Sequence, residues 1–246
     1  MLKHRLLALV AAFGLLACGT ASAGPAQQPA LRVLFVGNSL TYFHDMPLIV
    51  EGIARATGGP PVVTRSMTRG GFSLGDHLDL GLTARLMLLL GRWDYVVLQQ
   101  GPSSLPNSRV LLRRDVARFA DLMSARRSRP AVYMVWPEQA RIDVFPDVIE
   151  SYRLAAADVG APLLAVGSAW QAAWSLDPTL QLYGPDGFHP TPLGSYLAAL
   201  VIYEGLSGRS AVGAPGTLTL RNGRRINIPA AQAALAQQAA AMVRQP

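Results

Sequence analysis

The chain has 246 residues, half of them hydrophobic, a formal charge of +7, and a single lysine and a single cysteine, Lys3 and Cys18. Both fall in an N-terminal leader, where Cys18 is either removed or lipidated, so Schiff-base, pyridoxal, P-loop lysine and thiol-nucleophile chemistry are excluded. The arginines are scattered, with short clusters only at Arg113-Arg114, Arg126-Arg127 and Arg224-Arg225, and no basic face interleaved with aromatics is offered to nucleic acid.

The leader has the three parts of a secretory signal: Lys3, His4 and Arg5, then an apolar run over 6–17, then small residues up to Gly24. Residues 1–23 are expected to be a signal peptide, with two cleavage readings. Ala21-Ser22-Ala23 fits an A-x-A site, and Leu15-Leu16-Ala17-Cys18 resembles a lipobox ending at Cys18. The expected destination is secreted or periplasmic, with a tether to the bacterial envelope if Cys18 carries lipid. Neither the leader nor any later segment has the roughly 20 apolar residues a spanning helix needs.

Past the leader, strand-like and helix-like segments alternate. Apolar, β-branched or aromatic runs at 31–36, 62–66, 95–99, 131–136 and 163–166 read as buried strands. Helical periodicity occupies 46–57, 74–90, 110–127 and 145–159 between them, and 191–206 after the last. Five strands separated by helices specify a three-layer α/β/α sandwich on a five-stranded parallel sheet, with right-handed crossovers. This domain is expected to run over 31–206. From 207 to 246 the pattern changes to a hairpin, 217–220 and 226–228 around the turn dipeptide Asn222-Gly223, and an Ala/Gln-rich helix over 230–244, both packing on the same domain.

Two punctuated sites stand out. Gly37-Asn38-Ser39-Leu40-Thr41 closes the first strand, so Ser39 is held in a turn at the sheet's carboxyl edge, where a nucleophile belongs. A serine there also serves as a helix cap or turn residue. Asp186-Gly187-Phe188-His189-Pro190 supplies, 150 residues after Ser39, a general base with a carboxylate three residues before it that can set its tautomer. The Ser39 amide, at a helix start, is placed to face a developing oxyanion. Thr41 stands where the G-x-S-x-G elbow of α/β hydrolases has its second glycine, so Ser39 is not in such an elbow.

These motifs resemble the SGNH (GDSL-like) hydrolase superfamily, with Gly37 to Thr41 as its first block. The resemblance spans about 31–206 and implies a flavodoxin-like fold, Ser39 as nucleophile, His189 as base and Asp186 as its orienter. Arg69-Gly70-Gly71-Phe72-Ser73-Leu74 looks like the second block, which makes the Gly71 amide an oxyanion donor. The third block departs from the pattern. Where the family has G-x-N-D the chain has Gly101-Pro102-Ser103-Ser104, so Ser103 fills the asparagine slot and the missing donor falls to Gln99 or Gln100, with Gln100 favoured.

Asn38, Trp136 and His44 are the candidates for contact with substrate, although His44, with Asp45, reads first as part of a solvated loop. Glu138 could shape the cleft beside Trp136, and His77 with Asp76 is expected to cap a helix or face solvent. The resemblance implies a serine esterase without cofactor or metal that acts, as a monomer, on a small-molecule or carbohydrate ester, with short acyl groups on sugars as the leading substrate. Two alternatives stand beside it: a non-catalytic carbohydrate-binding or envelope-scaffold lipoprotein that keeps the fold, and a metal-dependent phosphoesterase built on His44, Asp45 and His77.

Overall fold

The computed structural model describes residues 28–80, 82–124 and 126–244; the signal-peptide and lipobox readings lie outside the described residues. Five strands form one sheet: β1 (Leu31–Gly37), β2 (Val62–Thr68), β3 (Tyr95–Leu98), β4 (Arg129–Tyr133) and β5 (Leu163–Leu164). Their order is β2-β1-β3-β4-β5, and every neighbouring pair is parallel. β1 lies inside the sheet and is apolar on both faces, with residues 33–37 all buried, which suits a strand covered by helices on each side. Val33 pairs with Thr64 on one flank and Tyr95 on the other.

The helices divide between the two faces. α2 (Met46–Ala56), α7 (Val166–Leu176) and α8 (Pro192–Ser207) form one layer, and α9 (Ala230–Met242) packs on α7 and α8. α3 (Leu74–Asp79), α4 (Leu82–Leu90), α5 (Pro106–Ser124) and α6 (Phe145–Asp158) form the other. A one-turn helix, α1 (Ser39–Tyr42), and a 3-10 turn, Phe43–Asp45, connect β1 to α2. α8 is apolar almost all round and buried along nearly its whole length, as a helix between sheet and outer layer must be. Each large aliphatic or aromatic side chain buried there and on β1 is worth about 1.5–3 kcal/mol of transfer free energy.

The α/β/α sandwich and its five parallel strands are those the sequence pattern specifies, with local differences. The helix expected over 74–90 is two, α3 and α4. α3 opens on a capping box in which Ser73 and Asp76 satisfy each other's backbone amides. α5 begins at Pro106, earlier than periodicity placed it, because proline is favoured in a first helical turn. β5 is only two residues long, so the chain turns straight into α7, a helix that the apolar run 163–166 had concealed. Beyond the sheet, β6 (Thr217–Thr219) and β7 (Arg225–Asn227) pair as an antiparallel hairpin whose turn includes Gly223 at φ 83°, and β6 rests on α2.

Strand order fixes where a site can form. The chain leaves β1 toward β2 on one side and reaches β3 on the other, so the loops after β1 and β3 diverge and leave a crevice at the carboxyl edge. Ser39 follows β1 and Gln99-Gln100 follow β3.

Candidate active site

The serine turn is built from buried polar groups. Asn38 caps α1, its Oδ1 accepting from Leu40 N at 3.1 Å, and this leaves Ser39 as the first helical residue. Gln99, fully buried at the end of β3, holds the turn from beneath. Its Oε1 accepts from Asn38 N at 2.9 Å and from Thr41 Oγ1 at 2.7 Å, while its Nε2 donates to Asn38 Oδ1 at 3.0 Å. A Cβ on Gly37 would collide with Gln99 Oε1 and Thr41 Oγ1, which is why glycine stands there. His77 completes the brace: its Nε2 donates to the Gly37 carbonyl at 2.8 Å. Burial holds the His77 imidazole below its ordinary pKa, so it stays neutral.

The histidine loop is held differently. Gly184 N donates to His189 O at 2.7 Å, Tyr183 and Pro190 form an isolated antiparallel bridge, and Trp136 Nε1 donates to Phe188 O at 3.0 Å. Within the loop, Asp186 Oδ1 accepts from the amides of Phe188 and His189 at 3.1 and 3.0 Å, and Oδ2 accepts from His189 Nδ1 at 2.5 Å. Those bonds, the one from the imidazole foremost and then that from the Phe188 amide, pull the Asp186 carboxyl down to about 2. With Nδ1–H given to Asp186, the other ring nitrogen is left as an acceptor. His189 Nε2 faces Ser39 Oγ at 2.8 Å.

The two loops thus meet at one rim of the sheet and form a continuous Ser39–His189–Asp186 hydrogen-bond relay. The relay opens on a cleft of about 450 Å³ whose walls include Asn38, Gly71, Gln100, Phe188 and His189. Gly71, at φ 75°, and Ser39, in the first turn of α1, both line this cleft. Gln100 is fixed by partners at both ends of its amide. Its Oε1 accepts from Leu74 N at 3.2 Å, and its Nε2 donates to Ser103 Oγ at 3.1 Å, itself a donor to Gly101 O at 3.2 Å. Gln100 lines the cleft, and among the described residues its Nε2 donates to Ser103 alone, which leaves its second N–H without a protein partner. Ser103, in the asparagine slot, therefore serves to aim Gln100.

Other sequence-based candidates fall elsewhere. Trp136 is fully buried, its ring stacked on Trp170 with centroids 3.7 Å apart, and supports the histidine loop from below instead of meeting substrate. His44 does not line the cleft: its Nε2 donates to Pro190 O at 3.0 Å. Asn38 lines the cleft, but both ends of its amide are committed, Nδ2 to Phe72 O at 3.1 Å and Oδ1 to the cap. His77 neither caps a helix nor faces solvent, and exposed Glu138 borders a groove beside Asp186 rather than the Ser39 cleft. Asp45 pairs with Arg224, so His44, Asp45 and His77 have three separate partners. Among the described residues no three His, Cys, Asp or Glu side chains gather as a metal-ligand set.

Sequence reasoning missed Gln99, His77 and Phe43 as supports; Gln99 and His77 reach the serine turn, and Phe43 the His189 ring, only across long stretches of chain. Gly71-Phe72-Ser73-Leu74-Gly75 also spells G-x-S-x-G, but Ser73 Oγ is engaged by Asp76 at 2.7 Å as a helix cap, with no imidazole against it.

A three-layer α/β domain of strand order 2-1-3-4-5 carrying a Ser-His-Asp relay at its switch point defines a serine-hydrolase class. The chain is 32% identical to a protein from Slackia heliotrinireducens assigned to the SGNH hydrolases, over 72% of this chain and 99% of that one, with a TM-score of 0.62. This chain belongs to the SGNH hydrolase superfamily. The same fold recurs in a DUF4886 family protein from Bacteroides uniformis (18% identity, 86% of this chain and 93% of that one, TM-score 0.69). It recurs again in a lipase/acylhydrolase from Enterococcus faecalis (15%, 73% and 96%, 0.59). No family model and no curated protein matches the chain.

Proposed function

We propose that this protein is an exported serine esterase that removes short acyl groups, acetyl above all, from carbohydrate. The observation that carries the reading is the relay itself: Ser39 Oγ 2.8 Å from His189 Nε2, with His189 Nδ1 on Asp186. Ser39 Oγ attacks the ester carbonyl carbon as its proton passes to His189, and Asp186 stabilises the imidazolium. The Ser39 and Gly71 amides and the spare N–H of Gln100 receive the oxyanion. On collapse the C–O bond breaks, His189 protonates the departing alkoxide, and an acyl-serine remains. Water, deprotonated by His189, then attacks that acyl group and releases the carboxylic acid while the proton returns to Ser39.

Substrate class is supported by the cleft's modest size, about 450 Å³, and by the Phe72 and Phe188 rings on its wall. A small cleft walled by two rings suits a short acyl group on a ring-shaped partner better than a long alkyl chain. Export is supported by the leader, and Cys18 offers a lipid tether to the envelope.

Nitrophenyl esters of increasing acyl length, followed by acetylated oligosaccharides, test the proposal. Acetate should turn over fastest, and Ser39→Ala should abolish turnover with an unchanged circular dichroism spectrum. Turnover that survives Ser39→Ala sinks the serine mechanism. Sugar binding with no hydrolysis at all would instead identify a non-catalytic carbohydrate-binding protein on this fold.

A further inference from the structure

The hydroxyl and imidazole of the relay are joined by a third segment, the turn between α1 and α2. Phe43 lays its ring on the His189 imidazole, centroids 4.1 Å apart and planes 10° from parallel, and its carbonyl accepts from Ser195 Oγ of α8 at 3.4 Å. The next residue, His44, donates from Nε2 to Pro190 O at 3.0 Å. The turn therefore grips the catalytic loop at the His189 ring and at the Pro190 carbonyl.

That grip is made in a conformation that does not hold itself. His44 and Asp45 are consecutive non-glycine residues in the left-handed region, at φ 53° and 56°. Such residues are sparsely populated there and persist only where surrounding contacts over-determine them, a pattern that clusters at functional sites. The contacts come from the far end of the chain. Asp45 Oδ2 accepts from Arg224 Nη1 at 2.8 Å and from Asn222 Nδ2 at 3.1 Å, both in or beside the turn of the C-terminal hairpin.

We infer that the hairpin is a positioning element of the active site: Asn222 and Arg224 clamp Asp45, and through the left-handed turn they hold Phe43 and His44 against His189. The inference rests on the esterase reading for its kinetic consequence but not for its structural one. Arg224 and Asn222 are positioning residues that act through Asp45 and touch no substrate.

A second arginine of the hairpin turn, Arg221, provides the control. Arg221 pairs with buried Glu51 on α2 at 2.9 Å, away from the histidine loop. Removing it leaves the buried Glu51 carboxylate with Thr64 N and Oγ1 but without its cation, so Arg221→Ala should lower Tm more than Arg224→Ala does and leave kcat unchanged. Arg224→Ala combined with Asn222→Ala should lower kcat about tenfold with KM unaltered, because a base displaced by a fraction of an ångström transfers its proton less often. Arg224→Lys should recover most of the loss.

A second measurement needs no turnover. In the wild type the Phe43 ring current shields the His189 ring protons, and in Arg224→Ala/Asn222→Ala their NMR resonances should move downfield. Wild-type kcat and unmoved His189 resonances in the double variant overturn the inference. So does a kcat loss that merely tracks Tm and is matched by Arg221→Ala. If the wild type hydrolyses no ester but its His189 resonances still move, the esterase reading falls and the hairpin's role stands.

Discussion

The two halves of the relay are built on opposite plans. Ser39 is 8% exposed and sits on a floor of buried hydrogen bonds from Gln99, Asn38 and His77, all anchored to the sheet or to α3. The Asp186 and His189 side chains are 51% and 24% exposed, on a loop held mainly by backbone bonds and by Trp136, Phe43 and His44 at its edges. In the proposed mechanism a nucleophile must be fixed relative to the oxyanion donors, and a rigid sheet edge would do that. A base that takes a proton and gives it up again needs only its distance and tautomer set, for which a tethered loop suffices.

The contrast can be broken most forcefully at the nucleophile. Ser39→Ala is expected to lower kcat by about 10⁴- to 10⁶-fold with Tm nearly unchanged, since the side chain contributes chemistry and one exposed-side hydrogen bond. Asp186→Asn should cost between about 10² and 10⁴ in kcat, because an amide no longer fixes Nδ1–H. Its effect on Tm should be small at this exposure. Gln100→Ala should lower kcat by about 10²-fold with little change in KM, the cost of one oxyanion donor. A KM effect alone would move Gln100 from transition-state stabiliser to substrate contact.

Stability measurements sharpen the comparison on the floor side. Gln99→Leu leaves Asn38 N, Asn38 Oδ1 and Thr41 Oγ1 without their buried partner and should cost about 3 kcal/mol by chemical denaturation. No single change in the exposed loop should match it.

Acid separates the halves most finely. His77 has its folded pKa below the ordinary 6.5, so the unfolded chain binds the proton first and stability falls as pH drops below about 6.5. Asp186, lowered from 3.8 to about 2, adds a stabilising contribution that is complete above about pH 4 and is lost as pH falls through its folded value. Replacing His77 with Gln should flatten the pH dependence near 6, while Asp186→Asn should flatten it only at the acid extreme. Denaturant midpoints taken from pH 3 to pH 8 decide between them.

Much of this was legible in the residues themselves. Apolar runs of strand length between amphipathic stretches specified five parallel strands and three layers, because burial on both faces demands that pattern wherever it occurs. Ser39, Asp186 and His189 were readable because each site is local: a turn after a strand, and a D-x-x-H spacing that brings carboxylate and imidazole together within one loop. Trp136 and His44 were misplaced for the opposite reason. Their neighbours, Trp170 and Pro190, are distant in sequence, and nothing in the residues says which side of a strand end or turn a ring will take.

What the sequence by itself determined, then, is the set of elements and the chemistry of two loops, since propensity, periodicity and short spacings act over a few residues. Only the tertiary structure decided that Gln99 props the serine turn and that a C-terminal hairpin reaches Asp45. Those contacts join residues 58 to 179 positions apart. They form where strand order and layer packing bring the chain together, and a linear pattern carries no record of that.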